Sequence, residues 1–175
     1  HSMGGQLVGL MDNYDKVDRL ILIASSTGYW KDMGSPFKWL MPPLWFLLIP
    51  IIVAMYGYAN AEKIGQGENL PKGVALQWRK WCINPNYFED HFKNSSTKLF
   101  FDKYVIPLKS IQIEDDPIAT KITANKLVGY FKYAKIEVER ISPLKMGVKK
   151  IGHTGFFSRK FKDTLWNKLI ADIEK

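Results

Sequence analysis

The chain has 175 residues, 46% of them hydrophobic, with six Trp and ten Phe, an apolar content that excludes intrinsic disorder and can fill a sizeable core. A single cysteine, Cys82, rules out an internal disulfide and fits a reducing, cytoplasmic compartment. The net charge of +8 raises nucleic acid or anionic membrane as partners, but Lys and Arg occur singly or in pairs such as Lys149-Lys150 and Arg159-Lys160, with acids between them and no nucleic-acid motif, so the charge reads as a solvated surface.

His1-Ser2-Met3-Gly4-Gly5 matches the right-hand side of a G-x-S-x-G nucleophile elbow, lacking only its first glycine. Such an elbow is a sharp strand-to-helix turn that holds a serine in a strained backbone conformation, and small neighbours let the chain turn without clashes. On this expectation the first half of the protein precedes His1. His1-Ser2-Met3 also matches a cloning-vector scar, a reading that Gly4-Gly5 and the acid and histidine downstream weigh against. Gly4 to Tyr14 then predicts a helix. Asp18 to Ser25 predicts a strand whose unbroken apolar run suits a parallel sheet buried on both faces.

From Thr27 to about Val105 the character changes. Trp39 to Ala61 is a run of 23 positions without a charge, interrupted by Pro42, Pro43, Pro50 and Gly57. Its length suffices for a membrane span, but an interior proline costs a helix about 3 kcal/mol, and the run is expected to form a broken helical hairpin. Pro71 to Cys82 and Tyr87 to Lys93 predict two further helices rich in aromatics, with Cys82 in a packing position. A long insertion between two sheet strands is commonly a lid or cap. A lid over the serine comes first, with Trp39, Leu44, Trp45, Phe46 and Tyr56 as its substrate-facing residues. Packing as a cap core comes second, a membrane-surface element third, and a true span last.

The α/β pattern resumes at Pro107. Leu108 to Ile113 predicts a strand running into Glu114-Asp115-Asp116-Pro117, and Ile118 to Phe131 a helix. Ala134 to Ile141 alternates apolar and charged residues, as a half-exposed or edge strand does. The loop Gly152-His153-Thr154-Gly155 follows. Arg159 to Ile173 predicts a final amphipathic helix with Phe161, Leu165, Trp166, Leu169 and Ile173 on one face. The division is therefore 1–27 core, 28–106 helical cap, and 107–175 core.

Ser2, then Asp115 or Asp116, then His153 is the chain order serine, acid, histidine. With Ile113-Glu114-Asp115-Asp116-Pro117-Ile118, Gly152-His153-Thr154-Gly155-Phe156-Phe157, Gly28-Tyr29-Trp30 and the stretch from Tyr56-Gly57-Tyr58 to Trp81-Cys82, the chain resembles the C-terminal half of an α/β-hydrolase-fold serine hydrolase. Within that fold it is most similar to a bacterial group of predicted hydrolases of the esterase/lipase type. The resemblance implies an α/β-hydrolase fold, with flanking helices on a mostly parallel sheet and a helical cap. It implies hydrolysis of a carboxylic ester or thioester, with an apolar acyl group, through an acyl-serine and without cofactor or metal. A serine hydroxyl is a weak nucleophile at neutral pH and needs a base, the role expected of His153. A carboxylate must hold the imidazole in the right tautomer. Asp116 is the first choice; Asp115 stays open, because Ile113 stands where the family has a glycine. The N–H of Met3 would give one oxyanion-hole donor.

Taken singly, these residues have plainer readings. Asp115-Asp116-Pro117 fits a turn or helix cap, and His153 fits an ordinary loop histidine. His1 reads as packing at the elbow, His91 has no evident partner, and the sequon Asn94-Ser95-Ser96 reads as chance. A non-catalytic half-chain is the competing reading. Its elbow-side sheet edge would be bare, and a homodimer partner or the missing half would have to cover it.

Overall fold

The computed structural model describes residues 1–60, 62, 68–93 and 95–174. Ala61, the end of the charge-free run, and Asn94 of the sequon lie outside the described residues. The fold is α/β: a parallel sheet with flanking helices, and a helical segment inserted between its first two strands.

The chain enters through helix α1 (Met3–Leu7), which tightens into a 3-10 turn at Val8–Leu10. The expected helix to Tyr14 stops there. The Gly9 carbonyl accepts from the Phe100 N–H at 2.7 Å, and Met11 is extended, so Tyr14 belongs to a separate 3-10 turn at Tyr14–Lys16. Strand β1 (Leu20–Ile23) follows.

The expected hairpin is instead one helix, Phe37–Tyr56, built from α2 (Phe37–Pro43), a π turn (Leu44–Leu48) and α3 (Ile49–Tyr56). Pro42 and Pro43 remove two ladder donors but do not end the helix: the Leu44 N–H bonds back to Leu40 and Met41. Pro50 comes directly after the wide turn, where the regular ladder is already interrupted, so its missing N–H costs little. Gly57 ends the helix in the left-handed conformation, φ 75°, with its N–H on the Val53 carbonyl.

Beyond it, β2 (Tyr58–Ala59) and β3 (Leu70–Pro71) form a small antiparallel ribbon. Helices α4 (Lys72–Cys82) and α5 (Glu89–Lys93) complete the insertion.

The chain then returns to the sheet as β4 (Pro107–Ile113). Helix α6 (Lys121–Val128) is shorter than expected, because the Asp116 carboxylate takes the Ile118 and Ala119 N–H groups and Thr120 caps the helix from Thr123 N–H. Strand β5 (Lys135–Ile141), the short α7 (Gly152–Gly155) and α8 (Asn167–Ile173) finish the fold. Helix α8 is preceded by a 3-10 turn at Arg159–Phe161 and a π turn at Lys162–Trp166. Phe161 and Leu165 are buried, but Ile173, expected on the same face, is exposed.

Both strand pairs are parallel, in the order β1-β4-β5, with Leu20 opposite Leu108 and Leu108 opposite Ile136. Alternation puts Leu20, Leu22 and Leu108 into one core with Leu127 and Phe131, and Ile23, Ile111 and Ile113 into another with Phe156 and Leu165. A sheet covered on both faces needs apolar residues at consecutive positions, which is why β1 carries no alternation. β5 lies at the edge and is largely exposed, as its alternating charges predict.

On the sheet, Lys109 meets Asp172 at 2.6 Å, Glu139 at 3.0 Å and Glu137 at 3.3 Å. Burial pulls its ammonium pKa down, but the hydrogen bonds it donates to the three carboxylates outweigh that and hold it above the ordinary lysine value.

Candidate active site

The carboxyl ends of β1, β4 and β5 open on the same side; Asp116 and His153 lie on the segments that follow β4 and β5, and Ser2, from the start of the chain, is tied to the end of β1. Ser2 sits at φ 50°, ψ −126°, a strained conformation for a residue with a Cβ, one step before α1. Its N–H is tied to the Ile23 carbonyl at the end of β1, 3.2 Å away. Gly5 lets α1 lie directly on that strand end: a Cβ there would stand 2.4 Å from Ser25 Oγ. Gly4 has open space around it and carries no such constraint.

The Ser2 hydroxyl lies 2.8 Å from His153 Nε2, and His153 Nδ1 lies 2.7 Å from Asp116 Oδ2. An ionised carboxylate can only accept, so Nδ1 carries the imidazole proton and Nε2 is left to accept from the serine. The Asp116 side chain is fully buried. Its other oxygen accepts from the Ile118 and Ala119 N–H groups at 2.8 and 2.9 Å, which fixes the carboxylate plane and satisfies the charge. Asp115 points elsewhere. Its two oxygens accept from the Ile151 and Gly152 N–H groups, each at 2.9 Å, and it does not touch the ring. That clamp draws the histidine loop onto the β4 turn, and Gly152 takes it at φ 67°, which a side chain would resist.

Met3 stands at the first position of α1, where an amide has no intrahelical acceptor. His1 packs edge-on against Phe157 and bonds to the His153 carbonyl at 3.0 Å. His91, without an evident partner in the sequence, lies 3.1 Å from Gln77 Nε2 and against Trp81.

Beside Ser2 and His153 lies an apolar cavity of about 200 Å³. The helix Phe37–Tyr56 forms one wall through Phe37, Met41, Leu44, Trp45, Ile49 and Ile52; Ala75, Trp78 and Cys82 of α4 form another. Of the five residues expected to face substrate, Leu44 and Trp45 line this cavity. Trp39, Phe46 and Tyr56 do not line it and are exposed. The expectation favoured aromatic residues over helical phase; Met41, Ile49 and Ile52 recur at helical spacing from Phe37 and Trp45, and that periodicity was the usable signal.

Sequence reasoning also missed Gln6. It lies four residues after Ser2 on the same helical face and lines the cavity. Its amide is fixed at both ends, donating to the Ser26 carbonyl at 2.5 Å and accepting from the Tyr87 hydroxyl at 2.7 Å. Burial pushes the Cys82 thiol and the Tyr87 phenol well above their ordinary pKa values, so both are neutral here.

No protein-family model matches the chain, and no curated protein matches it. Among solved structures it is similar to an N-acyl homoserine lactone degrading enzyme (Est816), with 15% identity, a TM-score of 0.45 and coverage of 98% of this chain and 64% of that one. It is similar to an enol-lactonase from Burkholderia xenovorans, with 16% identity, a TM-score of 0.42 and coverage of 99% and 64%. It is also similar to an α/β fold family hydrolase from Bacillus anthracis, with 14% identity, a TM-score of 0.45 and coverage of 98% and 64%. The chain thus spans just under two thirds of the length of these structures.

Proposed function

We propose that the chain carries the nucleophile, base and acid of a serine hydrolase of the α/β-hydrolase fold, acting on carboxylic esters or thioesters. The observation that carries this is the continuous relay from Ser2 Oγ to His153 Nε2 and from His153 Nδ1 to Asp116, seated at the carboxyl ends of parallel strands. In the first step Ser2 Oγ attacks the acyl carbon while its proton passes to His153 Nε2. The tetrahedral oxyanion is met by the Met3 N–H, and the imidazolium returns its proton to the departing alcohol or thiol. Water then repeats the sequence on the acyl-serine, with His153 as base, releasing the acid. The apolar cavity behind Trp45 and Trp78 suits an apolar acyl group.

The experiment is labelling with a fluorophosphonate probe, on this chain and on Ser2→Ala. Labelling that disappears in the variant is the expected result. Equal labelling of both would overturn the assignment of Ser2.

A second reading, in which the site works only with a partner segment beside β1, is favoured by one observation. Among the described residues no strand pairs with the second edge of β1, although Leu20 and Leu22 there are buried core residues. Labelling that requires an added segment or partner chain is what that reading expects.

A further inference from the structure

Helix Phe37–Tyr56 is apolar on both sides. Its inner face lines the cavity beside Ser2, while Trp39, Leu47 and Met55 on the outer face expose 72%, 56% and 69% of their surface. Leu40, Phe46 and Ile51 continue that exposed row. A helix apolar all round belongs in a core or against lipid, and in this molecule half of its circumference has no core. Among the described residues it is also the one helix long and apolar enough, at 20 residues, to cross a membrane.

We infer that the outer face of this helix docks on the surface of an anionic lipid assembly, with the helix lying in the interface plane. Three features select that occupant. The row is a convex ridge about 30 Å long, not a groove that would take a peptide. Trp39 and Tyr56 stand exposed toward the two ends of the helix, and aromatic residues of this kind sit at headgroup level. Cations border it while carboxylates are absent from it: Lys38 is exposed next to Trp39, the Arg79 guanidinium lies 5.8 Å over the Phe46 ring, and Lys31 lies 5.4 Å over Trp30, which packs on Phe46. None of these three cations is ion-paired among the described residues. The inner face excludes a span. Trp45 and Val53 are buried against protein, and a helix that walls a cavity on one side cannot be ringed by lipid. The inference does not depend on the chemistry of Ser2.

The test is sedimentation of the full chain with vesicles of phosphatidylglycerol and phosphatidylcholine at 3:7, and with phosphatidylcholine alone. It is run on the wild type, on the double variant Leu47→Glu/Ile51→Glu, and on Ile122→Glu, an exposed apolar position on α6. The expected result is at least tenfold weaker partition for the double variant, little change for Ile122→Glu, weaker binding without the anionic lipid, and release by alkaline carbonate. Equal partition of wild type and double variant would overturn the inference. Resistance to carbonate would do so in favour of a span, and a dimer dissolved by the double variant with no vesicle binding would do so in favour of a second copy. Circular dichroism checks that the double variant folds. If it does not, quenching of tryptophan emission by brominated lipid decides, with wild type quenched and Trp39→Phe quenched less; no quenching of wild type would overturn the inference.

Discussion

Asp115 and Asp116 are adjacent in the chain and divide one task between them: Asp116 holds the ring of His153, while Asp115 holds the backbone of Ile151 and Gly152 that carries that histidine. Neighbouring side chains on a turn point apart, so one residue reaches the imidazole and the other reaches the loop beneath it. Asp116→Asn should slow fluorophosphonate labelling by about four orders of magnitude, because an amide can favour the wrong imidazole tautomer. Asp115→Asn removes a charged acceptor shared by two amides and should cost about 2 kcal/mol of stability, with a much smaller loss of labelling rate. Labelling kinetics beside urea melts separate the two; the opposite pattern would exchange their roles.

Gly5→Ala should be destabilising by about 2 kcal/mol, since its Cβ would lie 2.4 Å from Ser25 Oγ and force α1 away from β1. Gly4→Ala meets open space and should leave the melting temperature nearly unchanged. A thermal melt of both variants checks this, and equal shifts would contradict the packing argument.

Lys109→Ala takes from the buried Asp172 the ammonium 2.6 Å away, while Glu139 keeps Lys168, and should cost about 2 kcal/mol. Lys93→Ala removes an exposed, solvent-screened pair with Asp90 and should leave stability nearly unchanged. Urea denaturation of the two variants gives the comparison.

Burial raises the Cys82 thiol pKa, opposed more weakly by a hydrogen bond with Tyr87. The folded state therefore keeps this proton more tightly than the unfolded chain, whose cysteine titrates near 8.5. The stability tied to that proton is fully present below about pH 8.5 and is lost as pH rises above it. Between pH 8 and pH 10 the wild type should lose more stability than Cys82→Ala. Iodoacetamide at pH 9 should modify Cys82 only after unfolding, as mass spectrometry would show.

Much of the core was legible because its physics is local. The unbroken apolar run of Leu20 to Ile23 is a direct record of burial on two faces, and the interleaved charges of Lys135 to Ile141 record an exposed edge. Ser2, the acid pair and His153 were visible as residue types in order, but the choice between Asp115 and Asp116 was not. That choice depends on which way each side of a turn faces, and the loop amides that occupy Asp115 lie over thirty residues away. The inserted helix was misread for a related reason. Prolines were given their isolated cost, whereas in Phe37–Tyr56 they sit where the ladder is already loosened and apolar contacts hold the helix together. Trp39, Phe46 and Tyr56 were chosen for their rings, while position around the axis decides which residues meet the cavity.

The π turn at Leu44–Leu48 sets the phase of that helix. A regular helix advances about 100° per residue, so over eight residues Ile49 would stand about 80° around the axis from Met41, and Ile52 about 80° from Leu44. A wide turn acts as one inserted residue and winds the second half back into line, so that both halves face the same cavity. The helix is thus out of step by one, and its register is a matter of counting rather than of composition. Deleting a single residue between Leu44 and Leu48, with every remaining side chain kept, would turn Ile49 and Ile52 out of the cavity wall together.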